Sequence, residues 1–170
     1  MSPIHSMKYG QCLSARYAPI AAALLLAACA TPASIQPGAS QNDVQARFGA
    51  PREVYHLPDG ATRWLYPTQP VGEYTWAADI DAHGRVISVK QVLTIEEFGR
   101  ARIGQWTTQD VQVHFGRPVE TAYFPLMRRH VWSYRFLQDG VWYSMMHFYF
   151  DPDGVLRLTQ AGPDPEDGQN

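Results

Sequence analysis

Apolar and polar residues alternate in two stretches of the chain, and each stretch follows a short helical pattern. Residues 63–66 and 131–136 place aromatic side chains at every second position, which is typical of a strand with one buried face. Further strand patterns follow in each stretch, at residues 73–81 and 85–92 and at residues 142–151 and 155–160. The pattern therefore predicts a helix followed by an antiparallel meander, twice.

One nine-residue phrase occurs twice, 67 residues apart, as DVQARFGAP at 43–51 and DVQVHFGRP at 110–118. Ser40 and Thr107 each precede the aspartate by three residues, which indicates a capping box at a helix N-terminus. The glycine and proline that close each phrase predict the helix end, with the glycine in a left-handed conformation. A third capping pattern predicts another helix over about 94–103. The phrase is thus interpreted as helix punctuation rather than as a catalytic motif.

These elements predict an α+β fold class with two tandem units, each a short helical segment packed on an antiparallel β-meander. We place the first unit at residues 39–93 and the second at residues 94–161. Residues 162–170 are polar and rich in Pro and Gly, which predicts a disordered tail.

The first 28 residues have the pattern of an export signal. Lys8 and Arg16 precede an apolar run at 18–28 that is shorter than the roughly 20 residues needed to span a bilayer. The run ends in Leu-Ala-Ala-Cys, which resembles a bacterial lipobox and implies lipidation of Cys29. Residues 29–38 are then a tether. The alternative is an ordinary secretory signal, and either Met1 or Met7 is the true start.

The composition is that of a folded protein, with 45% hydrophobic and 12% aromatic residues. Only Cys29 would remain after signal cleavage, so we expect no internal disulfide. Cleavage also removes Lys8 and Arg16, which leaves 12 of the 14 basic residues against 16 acidic residues, a net charge of −4. A chain without a basic surplus is not expected to bind nucleic acid.

Patterns that carry catalysis or bind metals are weak in this chain. No two of the histidines beyond the signal have metal-ligand spacing: His56, His83, His114, His130 and His147. Asp79 and Asp81 are better explained as turn formers than as acid/base partners. His147 and Asp151 are the strongest acid/base pair, but four residues of strand separate them by roughly 13 Å. We therefore expect no enzymatic activity, cofactor, metal or small-molecule substrate.

The two copies differ on one face of their second strand. With Asp81 aligned to Asp151, the polar set Glu73, Thr75, Ala77 and Asp79 corresponds to Tyr143, Met145, His147 and Tyr149. The first set is typical of a solvated face, whereas the second combines apolar area with polar tips and favours contact with a protein. We predict a partner-binding patch of these four residues with Arg135 beside them. The alternative is that this face packs against the first unit or the intervening helix.

The chain resembles the SmpA/OmlA (BamE-like) outer-membrane lipoprotein domain. The resemblance lies in the helix signature, the W-x-Y strand and the D-x-x-G turn, each of which occurs twice after the lipobox. Two such units in tandem are also similar to the fold of the beta-lactamase inhibitor protein. The matching residues in copy one are Ser40, Asp43, Val44, Phe48, Gly49, Pro51, Trp64, Tyr66, Asp81 and Gly84. In copy two they are Thr107, Asp110, Val111, Phe115, Gly116, Pro118, Trp132, Tyr134, Asp151 and Gly154. The BamE-like assembly subunit has one unit, whereas this chain has two.

The resemblance implies a non-enzymatic lipoprotein on the periplasmic side of the outer membrane. Ala30, rather than Asp, after the lipidated cysteine implies sorting to that membrane. The implied function is a protein-binding scaffold, accessory to outer-membrane protein assembly or envelope integrity, with a component of that assembly as the expected partner.

The tandem inhibitor fold implies an alternative function, inhibition of a periplasmic or secreted hydrolase. The loop Pro58-Asp59-Gly60 is the candidate inserting segment for that function. The basic run Arg128-Arg129-His130 is predicted to lie in a hairpin loop. It is interpreted as a solvated turn or, alternatively, as a docking point for an acidic partner.

Overall fold

Strands dominate residues 35–165, the part of the chain that the computed structural model describes. Eight strands there form two antiparallel sheets of four, each in the order of the sequence. The first sheet contains β1 (Glu53–His56), β2 (Thr62–Pro67), β3 (Thr75–Ile80) and β4 (Val86–Gln91). The second contains β5 (Glu120–Phe124), β6 (Arg129–Gln138), β7 (Trp142–Phe150) and β8 (Leu156–Pro163). The predicted order of strands within a meander is therefore confirmed for both copies.

The helices of the described residues are short: α1 (Gln41–Phe48), α2 (Ile95–Phe98) and α3 (Thr108–Phe115). Ser40 and Thr107 cap α1 and α3 with both halves of the predicted capping box. The predicted end of the middle helix near residue 103 is wrong, because tight turns replace the helix after Phe98. Among the described residues, no helix combines the length and apolarity needed to cross a membrane.

The predicted α+β class, with a helical segment packed on each meander, is wrong. The protein consists mainly of two antiparallel sheets, and its helices extend for only one or two turns. Val44 is the one buried residue of α1. The prediction also missed β1 and β5, the first strand of each sheet. All of β5 is exposed, so it lacks the alternation that marks a half-buried strand.

Glycine and aspartate shape the ends of these elements. Gly49 and Gly116 follow the helices with φ of 78° and 87° and with ψ of −159° and −168°. The predicted left-handed helical conformation is therefore wrong for both glycines. Their φ and ψ angles lie in a region that is open essentially to glycine alone. Asp81 accepts hydrogen bonds from the amides two and four residues ahead at 2.8 Å each, and Asp151 does so at 3.1 and 2.9 Å. The hydrogen bond from the backbone amide of Arg85 is the main cause that holds the pKa of Asp81 below its usual value, and the amide of Val155 has the same effect on Asp151. The predicted turns are confirmed.

A shared core joins the two sheets. It contains Leu65 and Ala77 of the first sheet together with Tyr134, Phe136 and Phe148 of the second. A second cluster lies on the opposite face of the first sheet and contains Val44, Trp64, Tyr66, Ala78, Ile80 and Val86. The first sheet therefore contributes to a core cluster on each of its sides, and the described parts of both copies belong to one compact unit.

The predicted boundaries at the chain ends fall largely outside the described residues. The signal peptide, the lipidation site Cys29 and most of the tether lie there, as do residues 166–170. At the C-terminal side, β8 continues to Pro163, two residues into the stretch predicted as a tail.

Candidate binding surface

The five residues predicted to contact a partner share one face of the second sheet. Arg135 of β6 pairs with Met145 of β7. Tyr143, His147 and Tyr149 lie at alternate positions of β7 on either side of Met145. The opposite side of β7 carries Phe148 and Phe150 of the core. We call the following set the outer face: Arg135, Tyr143, Met145, His147 and Tyr149. The structure thus brings these residues together, as the alternation predicted.

Exposure varies along the outer face. Tyr143 is 43% exposed, whereas Met145 is only 2% exposed. His147 and Tyr149 are half-buried. Leu158 of β8, which lies opposite Tyr149, is 42% exposed and extends the apolar surface. The accessible part of the predicted patch therefore consists of aromatic rings and the imidazole rather than the methionine.

Arg135 is engaged within the molecule. Its guanidinium forms an ion pair with Asp164, and its side chain is only 13% exposed. It also donates to the carbonyl oxygen of Pro70 at 3.3 Å, and the side-chain amide of Gln69 donates to the backbone carbonyl oxygen of Arg135 at 2.8 Å. These contacts connect the loop after β2 to the second sheet. The alternative interpretation, packing against the first copy, therefore applies to Arg135, which positions the two sheets.

Hydrogen bonds orient the remaining side chains of the outer face. The hydroxyl of Ser133 lies 2.8 Å from Nδ1 of His147, and the hydroxyl of Tyr149 donates to Gln160 at 3.3 Å. The rings of His147 and Tyr149 meet edge to face, with centroids 6.5 Å apart. Burial lowers the pKa of His147, and Glu120 only partly opposes this effect. The imidazole is therefore neutral near pH 7, and the face is preorganised and largely uncharged.

The equivalent face of the first sheet is buried. Thr75 and Ala77, the counterparts of Met145 and His147, are 1% and 0% exposed. The prediction that this face is solvated is wrong, because the second copy covers it, and Ala77 shares the core cluster with Val111 of α3. Alternation shows which residues share a face, but it does not show what packs on that face.

An ionic network occupies the polar part of the contact between the copies. Arg63 of β2 donates to both carboxylate oxygens of Asp79 at 2.7 and 2.8 Å, and its third nitrogen lies 3.2 Å from Nδ1 of His114 in α3. Nε2 of His114 lies 2.8 Å from Glu97 of α2, and Lys90 reaches the other oxygen of Glu97 at 3.0 Å. The network joins the first sheet to the helices of the second copy.

The partners of His114 define its protonation. An arginine N–H only donates, so Nδ1 accepts from Arg63 and Nε2 carries the proton that it donates to Glu97. Burial lowers the pKa of His114, Arg63 adds to this effect, and Glu97 opposes it. Burial acts to raise the pKa of Glu97, but hydrogen bonds from Lys90 and His114 outweigh it and lower that pKa. Both ring nitrogens of His114 are thus engaged, and neither is free for proton transfer.

Sequence reasoning missed this network. It treated His114 as an isolated histidine, because its partners Glu97 and Arg63 lie 17 and 51 residues away on other elements. It also assigned Asp79 to a turn, whereas Asp79 lies within β3 and pairs with Arg63. No local pattern in the sequence signals such a contact. Within the described residues, no three His, Cys, Asp or Glu side chains lie close enough to hold a metal ion.

Two exposed turns were candidates for contact with a partner. The candidate inhibitory loop is a tight turn in which the amide of Leu57 donates to the carbonyl of Ala61 at 2.8 Å, and Asp59 accepts from the amide of Ala61 at 3.1 Å. In the basic run, only Arg128 lies in the hairpin turn, because β6 begins at Arg129. Neither turn forms an extended inserting loop.

Comparisons with known proteins add little to this description. No protein-family profile matches the sequence, and no curated protein matches it. Among solved structures, the chain is similar to a DUF4309 family protein (YjgB) from Bacillus subtilis subsp. subtilis str. 168, with 16% identity and a TM-score of 0.30. The match covers 74% of this chain and 79% of that chain. At this level the likeness carries no argument about fold or function, and the resemblance to SmpA/OmlA lipoproteins stays an expectation.

Proposed function

We propose that this protein is a non-enzymatic outer-membrane lipoprotein that binds a protein partner in the periplasm. The observation that carries the proposal is the outer face, because the equivalent face of the first sheet is covered by protein whereas Tyr143 remains 43% exposed. The lipobox-like sequence at Cys29 supports the anchor and the location. The role in outer-membrane protein assembly or envelope integrity rests on the resemblance stated above.

The chemistry of the outer face suits a protein partner. Tyrosine supplies a large, rigid contact area with a polar tip, at a low cost in conformational entropy. Val141, in the turn between β6 and β7, and Trp142, the first residue of β7, are 65% and 67% exposed and add apolar surface at this end of the strand. Contiguous exposed apolar residues commonly mark an interaction site. The hydrolase-inhibitor function lacks such support, because the Pro58–Gly60 turn is short and closed by its own hydrogen bonds.

Site-specific photo-crosslinking tests the binding face. A photo-reactive residue replaces Tyr143 or Tyr149 in the full chain, in native membranes. The matched control position is Ile87 of the first sheet, which is 48% exposed. We expect both tyrosine positions, but not Ile87, to trap a second protein. Equal trapping at all three positions, or none at the tyrosine positions, contradicts the proposed face.

The anchor is tested separately by metabolic labelling with a radioactive fatty acid. We expect Cys29→Ser to abolish incorporation of the label and to release the protein from the membrane fraction. Cys12→Ser is the matched control and leaves both unchanged, because residue 12 lies in the predicted signal. A membrane-bound, unlabelled wild-type protein would contradict the lipid anchor while leaving the binding face intact.

A further inference from the structure

An aromatic cavity of about 260 Å³ lies at the C-terminal end of α1. Phe48 and Tyr66 stack in its wall with ring centroids 4.8 Å apart, and the Trp76 ring lies 6.2 Å from that of Phe48. Burial raises the pKa of Tyr66 to about 12. In the described part of the chain, the Tyr66 hydroxyl is the one buried side-chain polar atom without a hydrogen-bond partner. Buried polar groups nearly always have a partner, so the Tyr66 hydroxyl departs from this rule, and the aromatic rings are the groups that this wall offers to a ligand.

A second cavity of about 530 Å³ lies between the two copies and is basic. Arg52 and Arg117 line it and are exposed, and neither guanidinium has an ion-pair partner among residues 35–165. Glu53 lines the same cavity, but its carboxylate already accepts from the Tyr55 hydroxyl at 2.5 Å and from the amide of Arg117 at 3.3 Å. Two unpaired guanidinium groups therefore face one carboxylate that is already engaged.

The two cavities share Arg52 and Pro67 in their walls, so they form one cleft with an aromatic part and a basic part. We propose that this cleft binds an aromatic carboxylate. The ring occupies the aromatic part, where offset or edge-to-face contacts with Phe48 and Trp76 are favourable. The carboxylate pairs with Arg52, whose planar guanidinium matches a carboxylate with two parallel hydrogen bonds. Arg117 supplies a second positive charge from the other copy.

Two sources share this ligand chemistry. One is the C-terminal end of a peptide whose last residue is aromatic, and the other is a free aromatic acid. In both ligands an aromatic ring lies a few bonds from a carboxylate. This arrangement matches the cleft, in which the aromatic part adjoins the basic part. The proposal is independent of the outer face, because Arg52 and the aromatic wall lie on α1, the first sheet and their connection.

Binding to the full-length protein in detergent tests the proposal by calorimetry. The probes are an acetylated hexapeptide that ends in phenylalanine with a free carboxylate, the same peptide with an amidated C-terminus, and 3-phenylpropionate. We expect saturable binding of at least one acid and a loss of about tenfold or more in affinity on amidation, since a charged hydrogen-bonded pair is removed. The tighter of the two acids identifies the source of the ligand.

Two variants make the test specific. Arg52→Gln removes the exposed guanidinium and should weaken binding by about tenfold or more, with little effect on folding. Arg47→Gln, on the exposed surface of α1 and outside both cavity walls, is the matched control and should bind as the wild type does. Equal affinity for the acid and the amide, an unchanged affinity of Arg52→Gln, or no saturable binding of either acid in the millimolar range overturns the proposal.

Discussion

The two sheets repeat one strand pattern but bury it differently. Both faces of the first sheet contribute residues to a core cluster, and Ala77 in its inner face is fully buried. The second sheet buries one face in the shared core and leaves Tyr143 and Leu158 exposed on the other. The same structural unit therefore contributes an internal contact in the first position and an accessible surface in the second position. Position in the tandem, rather than the repeated signature, decides the role of the face.

Equivalent residue pairs reflect this difference. Arg63 lies opposite Asp79 in the first sheet, and Val131 lies opposite Tyr149 at the same place in the second. The ionic pair is enclosed by the second copy and continues into His114. A buried ion pair gains little net stability, because desolvation offsets much of its attraction, so its main contribution is to define how the parts meet. The pair in the second sheet contains no charge: Val131 is 3% exposed and Tyr149 is half-buried, so an uncharged contact takes the place of the ion pair.

The largest expected effect comes from breaking the enclosed pair. Arg63→Met leaves the Asp79 carboxylate, whose side chain is 13% exposed, without its ionic partner. We expect the free energy of unfolding to fall by about 3–5 kcal/mol, as measured by urea denaturation. The double variant Arg63→Met/Asp79→Leu should recover most of this loss, because no unpaired charge remains. A double variant as unstable as the single one would contradict the role assigned to the pair.

The pH dependence of stability distinguishes the enclosed histidine from the outer one. The pKa of His114 in the folded state lies below its unfolded value of about 6.5, so the unfolded chain takes up the proton more readily. The free energy of unfolding should therefore decrease as pH falls from about 6.5 through the lower pKa of the folded protein.

Two variants show which histidine causes this pH dependence. His114→Gln should remove most of it, and His147→Gln should remove less, since His147 is more exposed although its pKa is also lowered. Urea titrations at a series of pH values measure both. An unaltered slope in His114→Gln would place the titrating group elsewhere.

Two equivalent tyrosines should respond differently to loss of the hydroxyl. The Tyr134 hydroxyl donates to the carbonyl of Gly116 at 2.8 Å in a buried site, whereas the Tyr66 hydroxyl has no partner among residues 35–165. We expect Tyr134→Phe to lower the free energy of unfolding by about 1 kcal/mol. Tyr66→Phe should be neutral or stabilising, because it removes an unsatisfied buried group. Equal losses in thermal or urea denaturation would show that the hydroxyl of Tyr66 is satisfied in solution.

The smallest expected effect on stability belongs to the outer face. Tyr143→Ser should change the free energy of unfolding by no more than about 0.5 kcal/mol, since Tyr143 is 43% exposed and lies outside both core clusters. The same change should weaken capture of the partner protein in the crosslinking experiment at Tyr149. A large loss of stability would instead indicate that the ring belongs to an internal contact.

Local features of this protein follow from the sequence alone. The capping boxes at Ser40 and Thr107 and the turns at Asp81 and Asp151 form between residues at most four positions apart, so their hydrogen bonds are encoded in short phrases. Alternation likewise placed the residues of the outer face on one side of β7. These elements depend on backbone and side-chain geometry within one segment.

Tertiary structure decided what those segments contact. Strand β5 exists because β6 pairs with it, although its exposed residues carry no periodic pattern. The burial of Ala77, the bridge through His114 and the enclosure of Arg135 all depend on distant segments that no local pattern identifies. Short-range hydrogen bonding specifies where elements start and stop, but burial and charge pairing depend on which surface is packed against them.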